Sequence, residues 1–127
     1  MIVLDASALI AHVDRHDAHH ELATERLPDA ASQQLGASSI TLAEVLIAPI
    51  RAGRLADARA ALQALGITEL SLPANAAERL AALRAATPLK LPDCCVLLAA
   101  EDAQGTVPTF DSQLARQATR LGLDPER

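Results

Sequence analysis

Short apolar runs, each closed by a polar or turn residue, recur along the chain between much longer stretches of helical spacing. Residues 1–5 form a continuous apolar run ended by Asp5, the pattern of a strand buried on both faces. Residues 36–40 and 67–72 read the same way, and residues 106–110 supply a fourth strand. Between them, apolar spacing predicts helices over 6–13, 19–33, 41–54, 54–65, 73–86, 93–104 and 111–121, with Pro28 and Pro49 placed to kink two of them. Gly66, Gly105 and Gly122 stand where helices must stop, and 87–92 is a loop bracketed by prolines. Strands separated by helices need crossover connections, so the sheet is parallel and covered on both faces. The expected fold is α/β and three-layered, a short parallel β-sheet of four to five strands flanked by helices.

With 127 residues the chain is one domain, and it holds no linker, internal repeat or low-complexity segment beyond an alanine bias. Half of it is apolar, which excludes intrinsic disorder. The longest apolar stretches, such as 94–100, fall far short of the ~20 residues of a membrane span. The first residues lack a basic region and carry an acid at position 5, so no secretory signal is expected. The only cysteines, Cys94 and Cys95, are sequence neighbours and unsuited to a structural bridge, which points to the cytoplasm. Without Trp or Tyr, and with Phe110 as its one Phe, the chain lacks the aromatic stacking platforms of single-strand binders, so shape and phosphate contacts are expected to matter more than base stacking. A net charge of −5 also argues against a simple polyanion-binding module. That balance changes if acids are gathered on a cation, because the rest of the chain is then close to neutral.

In an open parallel sheet, ligands bind at the carboxyl ends of the strands, where strand order reverses. Four acids reach that edge. Asp5 ends the first strand, Glu44 lies one turn into the helix after the second, Asp93 opens the helix before the fourth, and Asp111 directly follows it. Ser7 and Thr109 accompany them. Carboxylates converging from four segments repel one another, and a hard divalent cation relieves that repulsion. Oxygen-only ligands favour Mg²⁺ or Mn²⁺, and such an ion suits phosphoryl chemistry. Without metal, the acids are expected to titrate as coupled groups, at least one with a raised pKa. Each has a plainer reading: Asp5, Asp93 and Asp111 as helix N-caps, Glu44 on a solvent face.

These segments, Met1-Ile-Val-Leu-Asp5-Ala-Ser7, Ser38-Ser-Ile-Thr41-Leu-Ala-Glu44, Leu91-Pro-Asp93 and Thr109-Phe-Asp111, in this order and spacing, closely resemble the PIN-domain ribonucleases. Within that family they are most similar to the VapC-type toxins of bacterial toxin–antitoxin modules. The resemblance implies that Asp5, Glu44, Asp93 and Asp111 form the catalytic quartet, with Asp5, Asp93 and Asp111 holding Mg²⁺. Ser7 and Thr109 fall on small polar positions that orient the acids or a water on the ion. It further implies hydrolysis of RNA phosphodiester bonds, leaving a 5′-phosphate and a 3′-hydroxyl. Homodimerisation and silencing by a small VapB-like antitoxin follow from the same likeness.

Other residues invite weaker assignments. His12, His16, His19 and His20 include helical spacings that suit a soft metal, yet no further ligand completes such a site. Solvent-facing histidines that touch RNA at the cleft rim are the alternative. Cys94 and Cys95 follow a helix start, where the dipole lowers a thiol pKa, or serve as small core residues. Arg116 and Arg120, four apart behind Asp111, are candidate phosphate contacts or simply solvated helix-end charges. Arg51 and Arg54 have lesser claims. A phospho-acceptor receiver domain shares this length and layering, but it needs paired acids after the first strand, and Lys90 precedes the wrong element. The remaining alternative is a catalytically silent PIN-like protein-binding scaffold.

Overall fold

The computed structural model describes residues 1–30 and 33–124. Its elements are β1 (Ile2–Val3), α1 (Ala6–Val13), α2 (His20–Ala30), β2 (Leu35–Ser38), α3 (Ser39–Arg51), α4 (Leu55–Leu65), β3 (Thr68–Leu70), α5 (Ala76–Ala86), α6 (Leu91–Ala103) and α7 (Ser112–Arg120). The helix expected over 19–33 is α2, which continues through Pro28; positions 31 and 32 lie outside the described residues.

The strands pair in parallel in the order β1–β2–β3, with Ile2 opposite Leu35, Gly36 opposite Thr68 and Ser38 opposite Leu70. The fourth strand expected over 106–110 is reduced to one parallel bridge between Thr106 and Ile2, on the other side of β1. The cause is local. The Val107 N–H donates to the Leu123 carbonyl at 2.8 Å instead of to a strand, and Pro108 has no N–H to donate. The sheet is therefore three strands plus that bridge, not four to five. The chain builds outward from β1 through β2 to β3 and then returns to the free side of β1, so strand order reverses at β1.

Side chains alternate across a strand, and β1 feeds two cores. Ile2 and Leu4 join Leu9, Leu35, Ala37, Val45 and Leu62 beneath α1 to α4. Val3 joins Leu89, Leu97, Val107 and Leu114 beneath α6 and α7. β1 and β2 are buried on both faces because helices cover both, whereas β3, at the sheet edge, leaves Thr68 and Glu69 exposed. α5 is the exception among the helices: it buries none of its residues. It leans Leu80 and Leu83 on the second core, and Arg79 pairs with Asp102 of α6 at 2.6 Å. Among the described residues, no helix is long and apolar enough to cross a membrane.

Two helix ends differ from expectation. α6 starts at Leu91 rather than at Asp93, because Pro92 fits a first turn, where its missing N–H has no helical partner in any case. The left-handed residue that ends α6 is Gln104 (φ 52), not Gly105. Gly105 serves a different purpose. A Cβ there would lie 2.5 Å from the Met1 carbonyl oxygen, so only glycine lets the Thr106 segment close against β1. Gly66 ends α4 in the left-handed region (φ 71), as the sequence predicts.

Candidate active site

Asp5 sits at the carboxyl end of β1, where strand order reverses, and it is 2% exposed. Three donors fix its carboxylate. The Ala8 N–H donates to Oδ1 at 3.1 Å, which caps α1, while Ser7 Oγ (2.7 Å) and Thr109 Oγ1 (2.5 Å) donate to Oδ2. The Thr109 oxygen in turn accepts the Asp111 N–H at 3.0 Å, and Asp111 Oδ1 caps α7 by accepting the Leu114 N–H at 3.0 Å. One hydroxyl thus ties the first of the four acids to the last. Capping is real for Asp5 and Asp111, and each does it with one oxygen.

Asp93 is not a cap. Lys90 occupies that position without a side-chain bond, and Asp93 lies in the first turn of α6. Burial pushes its carboxyl above the usual range, the charges of Asp111 and Asp5 push it further, and Lys90 pulls the other way. Glu44 rises from α3, whose N-terminus is capped by Ser38 at the end of β2. It is half-buried rather than on a solvent face, and its carboxyl is raised by burial, then by Asp93 and Asp5. Asp93 is therefore the hub of a shared field that links all four acids. The expected raised pKa falls on Glu44 and Asp93.

Sharing a field is not the same as meeting at a point. Among the described residues, no three His, Cys, Asp or Glu side chains stand placed to hold one metal ion as they are. The donor set nevertheless fits a hard divalent cation in kind: four carboxylates and two hydroxyls, without sulfur or imidazole. The neighbouring charges that raise the proton affinity of Glu44 and Asp93 are ones that such a cation would offset.

The remaining candidates separate clearly. Arg116 and Arg120 are exposed on α7, and Arg120 donates to Gln117 Oε1 at 3.1 Å. Arg51 and Arg54 are exposed at the far end of α3, and Arg54 pairs with Asp57 at 3.4 Å. Cys94 and Cys95 are both buried, and burial pushes both thiols up, against the lowering a helix start would give. The histidines do not share a helix. His12 ends α1, half-buried, with its Nδ1 unpartnered and its pKa lowered by burial and by His20. His20 Nδ1 donates to the Ala11 carbonyl at 2.8 Å, pinning α2 to α1. His16 and His19 are exposed in the connection between them.

Two features escape a sequence pattern. A cavity of about 520 Å³ opens beside Glu44, walled by Ile10, Val13, Ala48, Pro49, Arg54 and Ala58 among others. The His19 ring stacks on Phe110, centroids 4.5 Å apart and planes 12° from parallel. No periodicity could have linked residues so distant in the chain.

The fold has close counterparts among solved structures. Mycobacterium tuberculosis VapC20, a sarcin–ricin loop cleaving toxin, superposes with a TM-score of 0.73 at 18% identity, over 92% of this chain and 95% of that one. A toxin–antitoxin complex from Klebsiella pneumoniae gives 0.72 at 26% identity, with 91% of each chain covered. VapBC2 from Rickettsia felis, bound to a DNA fragment from its promoter, gives 0.71 at 17% identity, over 91% of this chain and 92% of that one. No curated protein matches the sequence. The PIN domain model, however, spans residues 2–119, from the strand before Asp5 to the helix after Asp111, and the chain belongs to the PIN domain family.

Proposed function

We propose that the chain is a Mg²⁺-dependent endoribonuclease, with Mn²⁺ able to substitute, and the toxin of a type II toxin–antitoxin module. The observation that carries this is the raised proton affinity of Glu44 and Asp93, caused by burial and by the charges of Asp5, Asp93 and Asp111, where strand order reverses. Asp5, Asp93 and Asp111 are assigned as the ligands. When bound, the ion supplies an activated water and offsets charge on the scissile phosphate. The chain's own part is positional and protonic. Ser7 and Thr109 hold the Asp5 carboxylate in one orientation, and Thr109 fixes the backbone of Asp111 against it. Glu44, whose proton affinity is raised, is suited to hold or pass a proton beside the reacting water. Arg116 and Arg120, exposed on the helix that Asp111 caps, are assigned to substrate phosphates.

Two of the similar structures are toxin–antitoxin assemblies, which supports a small VapB-like antitoxin as partner. The cavity beside Glu44, with Ile10, Ile47 and Ile50 exposed on α1 and α3, suits the apolar side chains of such a partner. Homodimerisation and a cytoplasmic location complete the proposal.

The test is cleavage of structured RNA by purified protein with and without Mg²⁺, alongside Asp5→Asn and Asp93→Asn. Activity requires the metal and is lost in both variants; equal cleavage by wild type and variants would remove the proposal. The alternative is a catalytically silent PIN-like protein-binding scaffold, favoured by the lack of three acids already on one point among the described residues. Mg²⁺ decides between them. A ligand at a hundredfold excess over Kd stabilises the folded state by about 2.7 kcal/mol, so the nuclease melts higher in Mg²⁺ and the scaffold does not.

A further inference from the structure

We propose that the His19 imidazole, backed by Phe110, is a platform on which a nucleobase next to the scissile phosphate stacks. The inference rests on the ribonuclease function proposed above and names a substrate contact for it. Phe110 is the chain's only aromatic residue besides its histidines, and it lies between Thr109, which holds Asp5, and Asp111. His19 covers one face of Phe110 at 4.5 Å and 12°. Its own side chain stays 52% exposed, so the outer face of the imidazole remains open, stacked on a Phe110 that is one peptide unit from both Thr109 and Asp111.

The backbone that carries the platform is pinned. Asp14 Oδ1 accepts the His16 N–H at 2.9 Å and Asp17 Oδ1 accepts the His19 N–H at 2.8 Å, two successive turns that set the path of the connection. The His19 carbonyl then accepts the Ala23 N–H at 2.9 Å as α2 begins. A ring held this way loses little freedom when a base settles on it. A phosphate is the less suitable occupant, because the Asp17 carboxylate already lies 3.8 Å from His19 Nδ1. A neutral base face meets none of that repulsion.

The experiment measures Mg²⁺-dependent cleavage of the structured RNA used above by wild type, His19→Ala and His19→Phe, on intact substrate and on substrate made abasic beside the mapped cleavage site. Stacking at one base is lost as roughly a 5- to 150-fold rise in KM for His19→Ala with kcat little changed. His19→Phe restores KM, and the abasic substrate erases the difference between wild type and His19→Ala. The inference is overturned if His19→Ala leaves KM unchanged, if His19→Phe rescues nothing, or if the His19→Ala defect persists on the abasic substrate. Should His19→Ala fold poorly in a thermal melt, the His19→Phe and abasic arms still decide. Wild type that shows no Mg²⁺-dependent cleavage, or cleavage that survives Asp93→Asn, overturns the ribonuclease function itself. Active wild type with indifferent His19 variants overturns only the stacking platform.

Discussion

Gly105→Ala should damage the acidic edge from a position that carries no chemistry. The new Cβ would lie 2.5 Å from the Met1 carbonyl oxygen and 3.3 Å from Val3 Cγ2. The obstacle is backbone, and it is the oxygen that accepts the Thr106 N–H at 3.0 Å; Val3 N–H returns a bond to Thr106 at 2.8 Å. Overpacking of this kind costs about 1–3 kcal/mol. Each backbone bond lost adds about 1 kcal/mol, while removing a glycine's freedom from the unfolded chain returns about 0.4–1 kcal/mol. The net is a destabilisation of about 1–4 kcal/mol, which lowers Tm by at least about 3 °C in a chain of this size. Thr109 and Asp111 hang from the same segment, so RNA cleavage measured well below Tm falls as well. Gly66→Ala is the control. Its φ is +71 with open space around it, so the variant loses stability through backbone strain alone and keeps its activity. Calorimetry, amide exchange at Val3 and Thr106, and a cleavage assay on both variants check this. Gly105→Ala melting within about 1 °C of wild type, or losing no more activity than Gly66→Ala, would refute the close-approach account.

Further outcomes follow from the site. Glu44 and Asp93 bind protons more tightly folded than unfolded, so metal-free stability falls as pH rises above their ordinary values of 4.5 and 3.8. Urea melts should therefore show a gain as pH drops from neutral toward 5, flattened in Asp93→Asn; a steady loss over that window contradicts the shared field. Thr109→Val removes the donor to Asp5 and the acceptor of the Asp111 N–H, which should lower kcat by tenfold or more at about 1–3 kcal/mol of stability, while Thr109→Ser retains most activity. Both thiols are buried and raised, so a thiol reagent should titrate Cys94 and Cys95 slowly in the native protein and at once in denaturant.

The parallel sheet, the order of the helices and the positions of the four acids along them were legible because each rests on a short-range pattern. The apolar run before Asp5, the amphipathic spacing around Glu44 and the turn before Asp111 are all readable one window at a time. What the sequence hid depends on partners far along the chain. Nothing in 106–110 says that the Val107 N–H will go to Leu123, so a strand was expected where a single bridge forms. Gly105 reads as a helix stop because glycines often are; its actual duty is set by Met1, at the other end of the molecule. Asp93 looked like a cap because Pro92 suggested a loop, whereas proline is at home in a first helical turn. His19 and Phe110 meet only once α2 and the segment before α7 have folded.

α5 adds a last consequence. A helix with no wholly buried residue, held by two leucines and one ion pair, has little to keep it from unwinding by itself. The acids ride on β1, α3, α6 and the turn into α7, so transient opening of this flank leaves them together. This outlying flank is therefore expected to take an early protease nick, or a fused label, before the working edge is disturbed, which limited proteolysis would check.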